Sequence, residues 1–444
     1  MIAVKKLPRD PGPAAWNCLL PEAPPPARVE DDITAEWIVI GAGFAGLSAA
    51  RRLSQLCPGD RIVVLDAKRV AEGPAGRNSG FMIDLPHDLA SDDYGGALES
   101  DIAQTTDNRR AIAFAAEMAR DFGLSDEAFV QSGKINAAAT AKGDHHNRDY
   151  AKHLSAMGEA HEMLDAAQMQ DLTGIDYYSS GLFTPGAAMI QPAAYVRGVA
   201  DGLRSNRVQI FEFSPALALH KDAFWTVKTP KGSVRAQKVI LAVNGHLENF
   251  GFMGGRLMHV FTYGSMTRAL TPDEVARLGG APIWGVTPAD PLGTTVRRLS
   301  GTGGDRIVVR NRFTFDPSLE VSDQKLANVT RDHDRAFRAR FPMLEGVEME
   351  HRWGGRLCLS YNNVQVVREV DDGLYAACCQ NGLGTVKGTL AGLLAAEMAC
   401  GVGSDALDRA LSAPAPTRLP PSPLAKLGAT ARLRWGEARA GREL

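Results

Sequence analysis

An α/β fold with a largely parallel sheet is what this sequence of 444 residues predicts, and three observations carry it. An apolar, β-branched run at 37–40 passes directly into Gly41-Ala42-Gly43-Phe44-Ala45-Gly46. Helix formers follow from Leu47 to Leu53. A second apolar run at 61–65 ends in Asp66, twenty positions past the third glycine. Strand, turn, helix and strand in that order make a βαβ unit, whose strands lie parallel.

The glycine spacing is G-x-G-x-x-G, the fingerprint of a Rossmann-like dinucleotide site. Gly41 permits the tight turn, Gly43 lets backbone approach a pyrophosphate, and Gly46 lets helix and strand pack closely. The helix start then presents free N–H groups and a partial positive charge to the phosphates. Asp66 is suited to accept hydrogen bonds from ribose hydroxyls, and an acid there disfavours a 2′-phosphate. The competing reading is a tight βα turn in an unrelated α/β protein. The flanking strands and the correctly spaced acid favour the dinucleotide site.

Length points to at least two cores, since single cores stop growing near roughly 250–300 residues. Lys+Arg is 49 against Asp+Glu 51, a balance of −2, which argues against nucleic acid or an anionic membrane as partner. The six cysteines form no C-x-x-C pair and read as reduced thiols, so a cytoplasmic protein is expected. No apolar run is long enough for a transmembrane helix.

In chain order, residues 1–31 read as a proline-rich arm, pinned to the body by Trp16, Leu19 and Leu20. The loop 72–81, GPAGRNSGF at its heart, is too glycine-rich for a helix interior and suits backbone contact with a ligand. A long helix is expected over 95–122, stopped by Gly123, then a strand at 134–138. A polar helix is expected over 141–170. It carries His145, His146, His153 and His161, read as a solvated face because they lack the spacing of a metal site.

A helix follows from Pro192 to 203. Strands are expected at 208–213, 216–220, 224–229 and 233–243, then at 257–263, 294–299 and 306–310. A helix is expected at 325–341 and a strand region from Trp353 to Val370. A buried strand at 374–379 breaks at Gln380-Asn381-Gly382-Leu383-Gly384 and restarts as a helix through Cys400. The basic stretch 412–444 reads as a solvated tail or a packing arm.

Placed in order, these motifs resemble the D-amino-acid oxidase superfamily of FAD-dependent oxidoreductases, most of all the branch with γ-glutamylputrescine oxidoreductase, glycine oxidase and sarcosine oxidase. The likeness rests on GAGFAG with Asp66, GPAGRNSGF, KVILAVNG, WGGRL at 353–357 and QNGLGTVKGTLAGLLAAEMACG. It implies FAD in a Rossmann-like domain, with a mixed-sheet α+β substrate domain inserted. The expected division is an arm at 1–31, a discontinuous FAD domain at 32–90, 185–248 and 350–411, a substrate domain at 91–184 and 249–349, and a tail at 412–444.

By position, the resemblance implies that Gly41, Gly43, Phe44, Ala45, Gly46, Asp66 and Ala67 hold the ADP half. Arg77, Asn78, Ser79 and Gly80 would run along the flavin and its pyrophosphate. Ala216 would flank adenine, and Ala242, Asn244 and Gly245 would close over the ADP moiety. Asn381, Gly382, Leu383, Gly384 and Thr385 would cap the flavin ring, with the following helix aimed at it. Leu383 replaces a histidine frequent in relatives. Relatives with covalent flavin use a cysteine near Cys358, which leaves the mode of attachment open.

The implied reaction is hydride transfer from a carbon beside an amine nitrogen to flavin, giving an imine that hydrolyses. The expected partner is a small amine or amino acid, with oligomeric state not read. Candidate substrate-side residues are Asp84, His87, His259, Tyr263, Met266, Arg298 and Lys387. For each, a core or surface role competes. His259, Phe261 and Tyr263 alternate along one strand and so share a face. Rival functions are a flavin hydroxylase and an FAD-binding subunit without turnover.

Overall fold

The computed structural model describes residues 1–86 and 96–444. At its centre is a six-stranded sheet in the order Val208–Phe211, Ile62–Leu65, Trp37–Ile40, Lys238–Leu241, Leu374–Cys378, Val366–Asp371. The first five strands are parallel and the last is antiparallel.

Alternation along these strands builds two cores. Val39, Ile62, Val64 and Ile240 face the helices Phe44–Leu56, Leu98–Asp121, Pro192–Leu203 and Val386–Ala399. Ile38, Ile40, Val63, Leu65, Val239 and Leu241 face a five-stranded sheet that supplies Leu219, Trp225, Val227 and Val234. The nucleotide sheet is thus the middle of three layers.

A second large sheet has eight strands, in the order Met349–Ser360, Leu257–Thr267, Arg306–Phe315, Thr295–Leu299, Trp284–Pro288, Lys134–Ala138, Ser180–Thr184, Glu162–Leu164. Only the pair Trp284–Pro288 with Lys134–Ala138 is parallel among its described pairings. Met349–Ser360 pairs along its length with Leu257–Thr267. Residues 349–360 therefore extend the sheet of the 249–349 segment, not the nucleotide sheet of 350–411.

Other expectations are corrected by the fold. The stretch 141–170 is two helices, Ala141–Met157 and Ala166–Thr173, with strand Glu162–Leu164 between them. Gly158, at φ 76°, ends the first helix in the left-handed conformation. In this region His145 pairs with Asp149, and His153 with Asp101. The run 233–243 is two strands in different sheets, Ser233–Ala236 and Lys238–Leu241. The chain changes sheet at Gln237.

The arm does more than trail. Ile2–Ala3 pairs with Ala218 and Leu219, and Trp16 is wholly buried with its indole N–H donating to the Asn78 carbonyl. The tail forms the helix Ser422–Ala440, with Glu437 and Glu443 buried against the body.

Candidate active site

The carboxyl ends of the nucleotide strands open into a cleft of about 280 Å³ that reaches to the eight-stranded sheet. In parallel sheets ligands bind at that end. Gly41, at φ 108°, turns the chain there, and a β-carbon on it would lie 2.5 Å from the Ala242 carbonyl oxygen. A β-carbon on Gly46 would lie 1.7 Å from the Gly41 oxygen, so helix and turn touch. Gly43 differs: its nearest neighbour would be the Ala75 β-carbon at 3.4 Å, and the space beyond is the cleft.

Two helices begin on this cleft. Phe44–Leu56 starts at Gly43, and Val386–Ala399 starts at Thr385, and neither start is capped by a side chain. At Phe44–Leu56 the first amides, before the Leu47 N–H that bonds to Gly43, are donors that a ligand can satisfy. At Val386–Ala399 the N–H groups of Lys387, Gly388 and Thr389 already donate to the carbonyls of Leu383, Gly384 and Thr385, and what that start offers is its partial positive charge. The turn leading to the second helix is bent through the left-handed region at Cys379 (φ 59°), Asn381 (φ 49°) and Gly382 (φ 84°). Such backbone is costly outside glycine and marks functional sites. Here the Asn244 side-chain oxygen accepts the Cys379 N–H at 3.1 Å, and the Asn381 side-chain oxygen accepts the Ser360 N–H at 2.7 Å. Thr385 Oγ1 donates to the Phe81 carbonyl at 2.6 Å, tying this turn to the 72–81 loop.

Asp66 sits on the floor. Its two oxygens accept the N–H groups of Ala42 and Lys68, each at 2.8 Å. Loss of water outweighs these bonds and pushes the carboxyl up to about 6. Farther along, His246 accepts from the Arg356 guanidinium at 2.6 Å, and burial followed by that charge drives its imidazole down to about 3, so it is neutral. The Cys358 thiol also borders the cleft. Its hydrogen bond with Cys379 and its burial raise its pKa, which disfavours the thiolate needed for attachment to a ligand.

The structure brings seventeen of the expected cofactor residues onto one surface: Gly41, Gly43, Phe44, Ala45, Asp66, Ala67, Asn78, Ser79, Ala216, Ala242, Asn244, Gly245, Asn381, Gly382, Leu383, Gly384 and Thr385. Gly46 lies behind them as a packing contact. Gly80, at φ 81°, faces the Arg297 guanidinium and the Ile190 carbonyl, away from the cleft. Arg77 is turned away too. Its guanidinium donates to the carbonyls of Glu72, Pro11, Gly12 and Gly354, so it braces the loop, while Asn78 and Ser79 border the cleft.

The substrate-side candidates fare differently. His87 lies outside the described residues. Asp84 is buried against Arg109 Nη2 at 3.0 Å. His259 pairs with Glu248 at 2.5 Å and backs the Gly245 turn, where a β-carbon would meet its Nδ1 at 2.9 Å. Phe261 and Tyr263 pack with Leu326 and Val329 of the helix Asp323–Arg340, so the face they share is covered. The Tyr263 hydroxyl is bonded to Thr314 Oγ1 at 2.6 Å, and Tyr263 borders a small cavity of about 60 Å³ that shares Asn78, Arg310 and Gly382 with the cleft. Met266 is core. Arg298 donates to the carbonyls of Gly279 and Ala281. Lys387 is buried in the first turn of its helix and does not line the cleft.

The far end of the cleft is bordered instead by Thr287, Pro288, Pro291, Thr295 and Arg310. Arg310 pairs in register with Thr295 on one side and Gly264 on the other, and its guanidinium lies 4.7 Å from the Phe313 ring centre. It stands at the end of a predicted strand. Arg298 lies on the neighbouring strand Thr295–Leu299, paired with Ile307, and propensity does not report which face either arginine takes. Val4, Lys6, Leu7 and Pro8 of the arm also border the cleft.

A fingerprint turn, two uncapped helix starts and a second sheet closing the same cleft define a dinucleotide-binding α/β protein built to hold a second ligand beside the first. Residues 36–398 match the model of the DAO family, FAD dependent oxidoreductase, and the chain belongs to that family. The residues fit that cofactor: the open Gly43 position, the uncapped start of Phe44–Leu56 and Asp66 meet the demands of a diphosphate and a ribose.

Among curated relatives, the probable oxidoreductase OrdL of Rhizobium meliloti (strain 1021) is 25% identical over 414 residues, 90% of each chain. Gamma-glutamylputrescine oxidoreductase of Escherichia coli (strain K12) is 24% identical over 377 residues, covering 83% of this chain and 84% of that one. Among solved structures, glycine oxidase from Geobacillus kaustophilus superposes with a TM-score of 0.67 at 16% identity, over 84% of this chain and 96% of that one. L-Amino acid deaminase from Proteus myxofaciens gives a TM-score of 0.67 at 16% identity, over 92% and 99%. These structures share its fold.

Proposed function

We propose that this enzyme oxidises a small amine or amino-acid-like compound at the carbon beside nitrogen, the product imine then hydrolysing in water. The observation that carries this reading is the continuity of the cleft: it runs from Gly43, past the start of the helix Val386–Ala399, to a polar end at Arg310, Thr287 and Thr295. The named activities of gamma-glutamylputrescine oxidoreductase and glycine oxidase support the substrate class.

FAD, when bound, supplies the two-electron acceptor for the hydride. The chain's own residues do the rest. The positive dipole end of Val386–Ala399 favours negative charge placed beside it. Arg310 offers a cation for a carboxylate or carbonyl on the substrate. Pro288, Pro291 and Leu383 exclude water from that end.

Among the described residues bordering the cleft, the only histidine is His246, and it is already engaged by Arg356. Hydride departure requires the amine in its neutral form, since only a free lone pair stabilises the cation that is left. Six free thiols fit a reducing compartment, and we place the enzyme in the cytoplasm.

The test is anaerobic mixing of the flavin-loaded enzyme with amines, amino acids and γ-glutamyl amines, followed by absorbance near about 450 nm, where oxidised flavin absorbs. Bleaching by one class identifies the substrate. A yellow enzyme that no member of the panel bleaches rejects the proposal.

A further inference from the structure

We propose that the N-terminal arm is a wall of the FAD site: residues 4–8 cover the cleft at its adenosine end, and Asp10 locks them there. The arm follows the cleft along its length. The Val4 N–H donates to the Leu217 carbonyl at 2.9 Å and the Lys5 N–H to the Asn249 carbonyl at 3.1 Å, beside Ala216 and Phe250 of the cleft. Val4, Lys6, Leu7 and Pro8 then border the cavity itself. Past Asp10, the carbonyls of Pro11 and Gly12 accept from Arg77, and the Gly354 N–H donates to Pro11 at 3.0 Å. The far anchor is Trp16, on the Asn78 carbonyl at 2.9 Å.

Asp10 joins the two sides of the cleft. Its carboxylate has no exposure and is bonded to Lys68 Nζ at 2.9 Å and to Arg356 Nη2 at 3.1 Å. Lys68 follows Asp66 at the edge of the nucleotide sheet, and Arg356 belongs to a strand of the eight-stranded sheet. Burial raises this carboxyl, but Arg356, Arg77 and Lys68 together overcome it and hold the group ionised. A buried ion pair of this kind adds geometric definition, and loss of one partner is costly because the others stay buried and charged. Gly12, at φ 70°, makes the bend behind the lock. A β-carbon there would lie 2.3 Å from the Arg352 carbonyl oxygen, so the arm has one path across the protein.

FAD held beneath this wall cannot leave until residues 2–10 lift. Two measurements test that on the full chain. Hydrogen exchange in residues 2–16 should be markedly slower with FAD bound than in the apo-protein. The Asp10→Asn variant should release FAD about tenfold faster or more, read as the rise of flavin fluorescence on dilution. The sign is diagnostic. Removing a negative charge near a diphosphate would by electrostatics alone slow release, so acceleration reports the lock. Equal exchange in apo- and holo-protein, or unchanged or slower release from Asp10→Asn, overturns the proposal. The exchange measurement decides it even should the variant fold poorly. Wild-type protein that takes up no added FAD would instead reject the cofactor reading itself.

Discussion

A β-carbon on Gly392 would stand 1.9 Å from the carbonyl oxygen of Ala45. This contact is where the helix Val386–Ala399 crosses the helix Phe44–Leu56, and both helices point their starts at the same cleft. Gly388, one turn earlier, comes within 3.2 Å of the Phe44 β-carbon by the same measure. The spacing of the two positive ends is therefore set by two glycines, of which Gly388 also borders the cleft. Gly392→Ala should force the helices apart, lowering stability by about 1–3 kcal/mol or more and weakening FAD retention, as thermal denaturation and flavin content would record.

Gly43→Val separates binding from folding. A β-carbon at Gly43 meets only Ala75, at 3.4 Å, and the added methyls project into the cleft. The expected product is a folded apo-protein, with native circular dichroism and no yellow colour. Full flavin occupancy in this variant would contradict the placement of the diphosphate.

Asp66 makes FAD uptake depend on pH. Its folded pKa, about 6, is above the usual 3.8, so its contribution to apo-protein stability is complete below pH 3.8 and is lost as pH rises through 6. Accepting ribose hydroxyls requires the carboxylate, so FAD binding should expel a proton near pH 6. Affinity measured by fluorescence should rise from about pH 5 to 7 and then level off. Asp66→Asn should bind more weakly and show no such rise.

Arg310 and Arg298 should respond in opposite ways. Arg310→Met removes a cation from the cleft and should raise KM about tenfold to a hundredfold for a carboxylate-bearing substrate, with flavin content unchanged. Arg298→Met leaves the carbonyls of Gly279 and Ala281 without donors and should lower the melting temperature without a comparable change in KM.

Glu443 ties the tail to the substrate end. Its carboxylate accepts the N–H groups of Ala139 and Thr140 at 2.8 and 3.1 Å, and its carbonyl accepts the Thr294 N–H at 2.7 Å, next to Thr295 of the cleft. Glu443→Ala strands the Ala139 and Thr140 donors, while the backbone bond to Thr294 remains available. The expected cost is about 1–3 kcal/mol of stability, with a higher KM and an unaltered flavin spectrum.

The nucleotide-binding unit could be read from residues 37–66 because its geometry is local: one turn, one helix start and one acid lie within about thirty residues, and each glycine has a steric duty there. The break after the buried strand, at 380–384, was legible for the same reason. What the tertiary structure alone decided was which side of each long strand meets the ligand. Arg297 and Arg298 are neighbours on one strand, yet Arg297 braces the carbonyls of Ser79 and Ile190 while Arg298 binds those of Gly279 and Ala281.

A side chain's face reverses at every residue and slips at irregularities such as that between Thr262 and Tyr263, so His259 and Tyr263 look as eligible in sequence as Arg310. The route of the arm over the cleft depends likewise on partners hundreds of residues away, Arg356 above all. Short-range sterics wrote the cofactor cradle into consecutive residues. Long-range pairing of strands, which composition cannot encode, chose the side chains that border the far end of the cleft, and long-range ion pairs laid the arm over its other end.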